Sequence, residues 1–130
     1  MKLKKEIFER VVAQARRELP DESCGYLLGE GDTVTDDYPM TNIDHSPEHF
    51  SFDPREQFAA IKHARKKGLR VIANWHSHPS SPSRPSQEDI RLANDPNILY
   101  AILSLAEETP VFNAFEIKNG EVSKQNIEII

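Results

Sequence analysis

His76-Ser77-His78 sets two imidazoles one residue apart, directly after an apolar run, and Ser86 and Asp89 follow beyond a Pro/Ser-rich stretch. On an extended strand, residues i and i+2 project from the same face, so His76 and His78 can reach one point in space. Imidazole suits zinc, and two on one face supply half of a tetrahedral shell. Asp89 adds a carboxylate. Two histidines and one carboxylate leave the fourth position free, which is the pattern of a catalytic rather than a structural zinc site. The same residues have a plainer reading. Ser86-x-x-Asp89 is also a helix-capping arrangement, and His-x-His occurs by chance in surface loops. What favours the metal is the complete set, in order between positions 76 and 89, on elements suited to bring it together.

Those elements must be a strand end, a restrained loop and a helix start. Leu69 to Trp75 is rich in apolar residues and reads as a strand ending where the histidines begin. Pro79, Pro82 and Pro85 restrict the backbone, so the loop 79–85 is stiffer than its serines suggest. Ser86 then reads as the N-cap of a helix that stops before Asp95-Pro96-Asn97. Asp89, on its first turn, faces back towards the strand end.

Upstream, Leu3, Ile7, Val11, Ala15 and Leu19 recur at helical spacing until Pro20 ends the pattern. Cys24 to Gly29 reads as a buried strand, and Glu30-Gly31-Asp32 turns the chain into a second over 33–40. Residues 42–51 read as a loop carrying His45 and His49. Asp53-Pro54-Arg55-Glu56 starts a helix that runs to about Lys67, where Gly68 stops it. Strands follow at 98–105 and 110–118, and Asn119-Gly120 turns into a last strand over 121–129. The order αββαβαβββ, without repeats, predicts a single α/β domain over residues 1–130, with one curved mixed sheet flanked by helices.

The 130 residues suit one core, and 38% hydrophobic with 28% charged residues is ordinary for a soluble globular protein. A net charge of −5 without a long basic run gives little support to a nucleic-acid partner. The densest basic cluster, Lys62 to Arg70, reads as a solvated helix face, with a patch for an acidic partner as the other reading. No window approaches the ~18 consecutive apolar residues of a membrane span, and the N-terminus lacks a signal peptide's apolar core. One cysteine, Cys24, forms no internal disulfide and suits a reducing compartment, so a cytoplasmic protein is expected. Cys24 and Trp75 read as core residues, and His45, His49 and His63 as outside the ligand set. A zinc deaminase would need His-x-Glu and Pro-Cys-x-x-Cys, and the chain has neither.

His76-x-His78, seven residues, Ser86, two residues and Asp89 resemble the signature of the JAMM (MPN+) metalloprotease family. Asp21-Glu22-Ser23-Cys24-Gly25-Tyr26-Leu27-Leu28-Gly29 is similar to the family's upstream segment and sets Glu22 at its catalytic glutamate. The resemblance spans residues 3 to about 105 and implies a curved sheet between helices, like that of cytidine deaminases. It implies one zinc on His76, His78 and Asp89, with Glu22 taking the proton of water and delivering it to the leaving amine. Ser86 would donate its hydroxyl to the oxyanion.

The compact chain is similar to small prokaryotic members of that family. Their substrates imply hydrolysis of a peptide or isopeptide bond after the C-terminal Gly-Gly of a ubiquitin-like protein or sulfur carrier. Such a tail would add alongside an exposed strand edge, in a groove between 42–53 and the loop 79–85. Two other roles follow from the same resemblance. A metal-binding scaffold or interaction module has no need of a general base, which Glu22 argues against, and a DNA-repair relative is disfavoured by the acidic balance.

Overall fold

The apolar stripe near the N-terminus forms a helix over its middle members, while Leu3 falls in a strand before it and Leu19 lies exposed beyond its end. In the computed structural model, which describes residues 1–130, helix α1 (Lys5–Arg17) buries Ile7, Val11 and Ala15. A two-residue strand, β1 (Lys2–Leu3), precedes it. The strands β2 (Cys24–Glu30) and β3 (Thr33–Met40) form an antiparallel pair. Helix α2 (Pro54–Lys66) begins at Asp53, whose side chain accepts from the Arg55 amide, and ends before Gly68 at φ +70°. Then come β4 (Arg70–His78), the short helix α3 (Gln87–Leu92), β5 (Leu99–Ser104), β6 (Val111–Lys118), β7 (Glu121–Gln125) and β8 (Glu128–Ile129). No helix is long and apolar enough to cross a membrane.

All eight strands join one sheet in the order β7-β6-β5-β4-β2-β3-β1-β8. The pairs β4/β5, β1/β3 and β1/β8 are parallel and the others antiparallel. A single last strand over 121–129 was expected; the chain instead breaks at Asn126 and Ile127 and supplies both outer strands. Three residue steps reach at most about 11 Å, whereas eight flat strands would span ~34 Å. The sheet must therefore curl until its two edges approach each other.

Both faces of the middle of the sheet are covered. Leu27, Val34, Ala73, Trp75, Ala101 and Leu103 pack with α1, while Cys24, Tyr26, Leu28 and Met40 pack with Ala60 and Ala64 of α2. Cys24 is thus a buried core thiol, as expected. Strand alternation then fixes the histidines. Trp75 turns into the α1 side with none of its surface exposed, so Asn74, His76 and His78 turn to the α2 side. The strand does not stop at Trp75, as the apolar run suggested, but continues through both histidines, paired to Ile102 and Ser104 of β5.

Candidate metal centre

His76 and His78 are almost fully buried on a central strand, a costly place for polar rings unless they have partners. Asp89 provides one. Its Oδ2 lies 3.2 Å from His76 Nε2 and 3.1 Å from His78 Nε2, and the two Nε2 atoms are 3.1 Å apart. The three donor atoms form a nearly equilateral triangle. A tetrahedral zinc with ligands at 2.0–2.1 Å has edges of about 3.3–3.4 Å. The triangle is one face of such a tetrahedron, to within a few tenths of an ångström.

Local chemistry aims each ligand. His78 Nδ1 is 2.9 Å from the Pro82 carbonyl oxygen, which only accepts, so Nδ1 carries the hydrogen and Nε2 of the neutral ring is a lone pair. The loop 79–85 is itself anchored. Ser83 Oγ donates to the Ile102 carbonyl at 2.6 Å, Asn113 Nδ2 to the Ser83 carbonyl at 3.1 Å, and Ser104 Oγ to the Ser81 carbonyl at 2.6 Å. His76 is held differently. Its ring stacks on Phe50 at a centroid distance of 4.6 Å, while its buried Nδ1 has no hydrogen-bond partner. Asp89 is fixed by a reciprocal cap at the start of α3. The Ser86 amide donates to Asp89 Oδ2 at 2.9 Å, and Ser86 Oγ accepts from the Asp89 amide at 3.0 Å.

Titration follows from this packing. Burial pushes His76 below its ordinary value. Burial also opposes the charge of His78, but Asp89 and the Pro82 carbonyl outweigh it and hold His78 up. For Asp89, burial is outweighed by hydrogen bonds from both histidines and the Ser86 amide, so its carboxyl lies far below the usual range. Without a cation, a proton on His78 separates lone pairs that would otherwise face each other. A divalent metal held by His76, His78 and Asp89 would do the same for all three groups at once, and a hard carboxylate with two imidazoles is a donor set that zinc accepts.

Glu22 lies just before β2, only 5% exposed. Its amide donates to the Ser46 carbonyl at 2.9 Å, and its carbonyl accepts from Asn42 Nδ2 at 3.0 Å. Burial pushes its carboxyl up to about 8, against a lowering pull from His78. The structure thus joins His76, His78 and Asp89, links Ser86 to Asp89 through the cap, and sets Glu22 within electrostatic reach of His78 and Asp89. The other histidines stay outside the triangle. His49 pairs with Glu88 at 2.8 Å, and the His63 ring lies 5.4 Å from that of Tyr38.

The segment expected to line a groove, 42–53, contributes Phe50 and Phe52 to a cavity beside the triangle. The loop 79–85 is fastened to the sheet, and the cavity beside the triangle, about 200 Å³, opens between Phe50–Gln57 and Glu88–Asn94. Asn74, Tyr100, Ile102 and Ile117 also line it. The alternation Phe50-Ser51-Phe52 was the one available hint that this segment packs rather than floats.

The chain matches a model of prokaryotic homologues of the JAB domain over residues 4–118. It is 29% identical to the CysO-cysteine peptidase of Mycobacterium tuberculosis over 131 aligned residues, covering 98% of this chain and 90% of that protein. A second relative, the probable TtuB-protein conjugate cleaving protease of Thermus thermophilus, is 34% identical over 88 residues, covering 67% of this chain and 59% of that one. The solution structure of DSY2949 from Desulfitobacterium hafniense superposes with a TM-score of 0.91 at 48% identity, covering 99% of this chain and 92% of that chain. The protein belongs to the prokaryotic JAB/JAMM domain family, and its curled sheet with flanking helices is the JAB1/MPN fold.

Proposed function

We propose that this protein is a zinc-dependent peptidase that hydrolyses the bond following the C-terminal Gly-Gly of a ubiquitin-like sulfur carrier. The observation that carries this reading is the donor triangle, with edges of 3.1–3.2 Å, next to a buried and unpaired carboxyl at Glu22. The names of the two relatives, a CysO-cysteine peptidase and a TtuB-conjugate protease, agree in reaction class and in having small protein substrates.

His76, His78 and Asp89 would hold the zinc, which when bound supplies Lewis-acid polarisation and acidifies water. Glu22 removes the proton from the attacking water and passes it to the leaving amine. Its metal-free value of about 8 reflects burial, and a neighbouring dication favours the ionised form that a base requires. Ser86 Oγ accepts from the Asp89 amide, which leaves its own hydrogen free to meet the developing oxyanion. Cap and oxyanion donor are therefore compatible in one hydroxyl. The single cysteine, buried and free, accords with a cytoplasmic setting.

The test is mass spectrometry of a Gly-Gly-tailed carrier extended by one cysteine, incubated with zinc-loaded protein. Release of cysteine by the wild type, and its loss in Glu22→Gln at unchanged zinc content, is the expected result. A zinc-loaded wild type that leaves the extended carrier intact would overturn the proposal.

A further inference from the structure

We infer that Arg84 binds the free α-carboxylate of the residue that is released, so that this site trims a single C-terminal residue from its carrier. This deepens the peptidase reading and rests on it for the identity of the bond that breaks. An exposed arginine in a loop is ordinary. Arg84 is exposed, yet its backbone is fixed against the donor triangle. Its amide donates to the Pro82 carbonyl oxygen at 2.9 Å, the same oxygen that lies 2.9 Å from His78 Nδ1. The preceding residue, Ser83, is buried and tied through its hydroxyl to Ile102 and through its carbonyl to Asn113. Two residues further on, the Ser86 amide donates to Asp89 Oδ2 at 2.9 Å. Arg84 thus stands between the residue that aims His78 and the residue that aims Asp89.

The two ends of a substrate meet different surroundings here. The cavity takes in His76 and Asp89 but no residue between 77 and 87, and no lysine or arginine lines it. A tail lying in it approaches the triangle from the His76–Asp89 side, which leaves the departing residue beside His78. The position of Glu22 agrees. Apart from burial, its carboxyl responds most to His78, and Glu22 acts on His78 but not on His76. The group that returns a proton to the leaving amine is therefore on the His78 side, where the backbone of Arg84 is fastened.

The chemistry of the leaving group supplies the rest. Hydrolysis of the last peptide bond frees an amino acid whose carboxylate lies about one residue length, ~3.5 Å, from the broken bond. Glu22, Glu88 and Asp89 act on one another across this site, and a further anion among them needs a cation. His49 and Arg91 are both engaged by Glu88, at 2.8 and 3.8 Å, whereas Arg84 pairs with no carboxylate of the chain. A guanidinium offers a carboxylate two parallel N–H donors, which fixes direction as well as charge. With the loop already fastened, only the side chain has to be ordered on binding. A lysine side chain conjugated through its ε-amine has no carboxylate at that position, so the same contact selects against conjugates.

The probe is a ubiquitin-fold carrier ending in Gly-Gly-Ala, made with a free C-terminal carboxylate and as the C-terminal amide. Alanine brings no thiol of its own to the metal. Zinc-loaded wild-type protein should cleave the acid about 10-fold faster than the amide, as kcat/KM followed by mass spectrometry. Arg84→Gln should bring that ratio close to one, and Arg84→Lys should restore part of it. Zinc-loaded Glu22→Gln, which holds both forms uncleaved, should bind the acid more tightly than the amide by calorimetry. Adding Arg84→Gln to it should abolish the difference. A ratio between two substrates is insensitive to how much of a variant is folded.

Equal cleavage of acid and amide by the wild type would overturn the inference and leave the peptidase reading standing. So would a preference that survives in Arg84→Gln, which would assign the carboxylate to the metal or to another group. Cleavage of neither form is the failure of the peptidase reading, and the binding difference then decides alone whether Arg84 holds a carboxylate.

Discussion

Two carboxylates serve this site from opposite environments. Asp89 opens a helix and receives two imidazoles and an amide, and its acidity is far above that of a free aspartate. Glu22 sits in a tight segment before β2, fixed by its backbone alone, and burial drives its acidity the other way, to about 8. The same functional group is held as an anion in one place and kept protonated at neutral pH in the other. In the proposed peptidase, environments that push two acids apart in this manner would divide the labour into ligand and base.

Substitution can break that division. Glu22→Gln should keep one zinc per chain, by elemental analysis, and lower turnover by ~10²–10⁴-fold. Asp89→Asn should lose zinc and turnover together, because it removes the only anionic ligand. A zinc-free Glu22→Gln, or a fully loaded Asp89→Asn, would reverse the assignments. Ser86 lies between these cases. Ser86→Ala should cost about 1 kcal/mol of stability and ~10²–10³-fold in turnover. Ser86→Asp should keep the cap, and with it near-normal melting, yet be nearly inactive. Normal turnover with earlier melting in Ser86→Ala would leave the serine only its cap.

The contrast has a pH signature of opposite sign in metal-free protein. Asp89 titrates below its unfolded value of 3.8, so it contributes stability above that pH and loses it on acidification. Glu22 rises from 4.5 to about 8, so it contributes nothing in acid and subtracts stability progressively until about pH 8. Melting curves in chelator should show Asp89→Asn destabilised at neutral pH, and Glu22→Gln more stable than wild type at about pH 8 but not at about pH 4. A Glu22→Gln protein that melts earlier at about pH 8 would contradict the buried carboxyl. The smallest effect concerns how the histidines are aimed. Ser83→Ala frees the strap behind His78 and should weaken zinc about 10-fold by competition with a chelator dye. Phe50→Leu removes the stack on His76 and an edge contact with Phe52, but no hydrogen bond, and should weaken it less.

Much of this was legible in residue types and spacing. The stripe from Leu3 to Leu19, the Asp53-Pro54 start and the His76/His78/Asp89 set all rest on short-range geometry. The turn at Asn119-Gly120 does too, with φ of 51° and 79°. A two-residue strand such as Lys2–Leu3 carries no period, so β1 was invisible, and β8 was read as the end of one strand over 121–129, which hid the closure of the sheet. The groups that aim the histidines were hidden for another reason. The Pro82 oxygen that orients His78 is a backbone carbonyl, which every residue has, and the Phe50–His76 stack joins positions far apart in the chain. The loop 79–85 is fastened down by hydrogen bonds from Ser83, Asn113 and Ser104, tertiary contacts that its prolines do not announce.

The nearly closed sheet also has a kinetic consequence. The Met1 amino group donates to the Asn126 carbonyl at 2.9 Å, and the Glu128 amide to the Met1 carbonyl at 2.9 Å, so one edge is sewn from opposite ends of the sequence. Pairings so distant in sequence are slow to form, since loop-closure entropy must be overcome first. The hairpins β5–β6–β7 need only local encounters and should assemble early. In a chain made from its N-terminus, β1 can pair with β3 early, but its outer edge waits uncovered until β8 is made. At two residues it is too short a template for another chain to extend, which keeps the delay from becoming a route to aggregation.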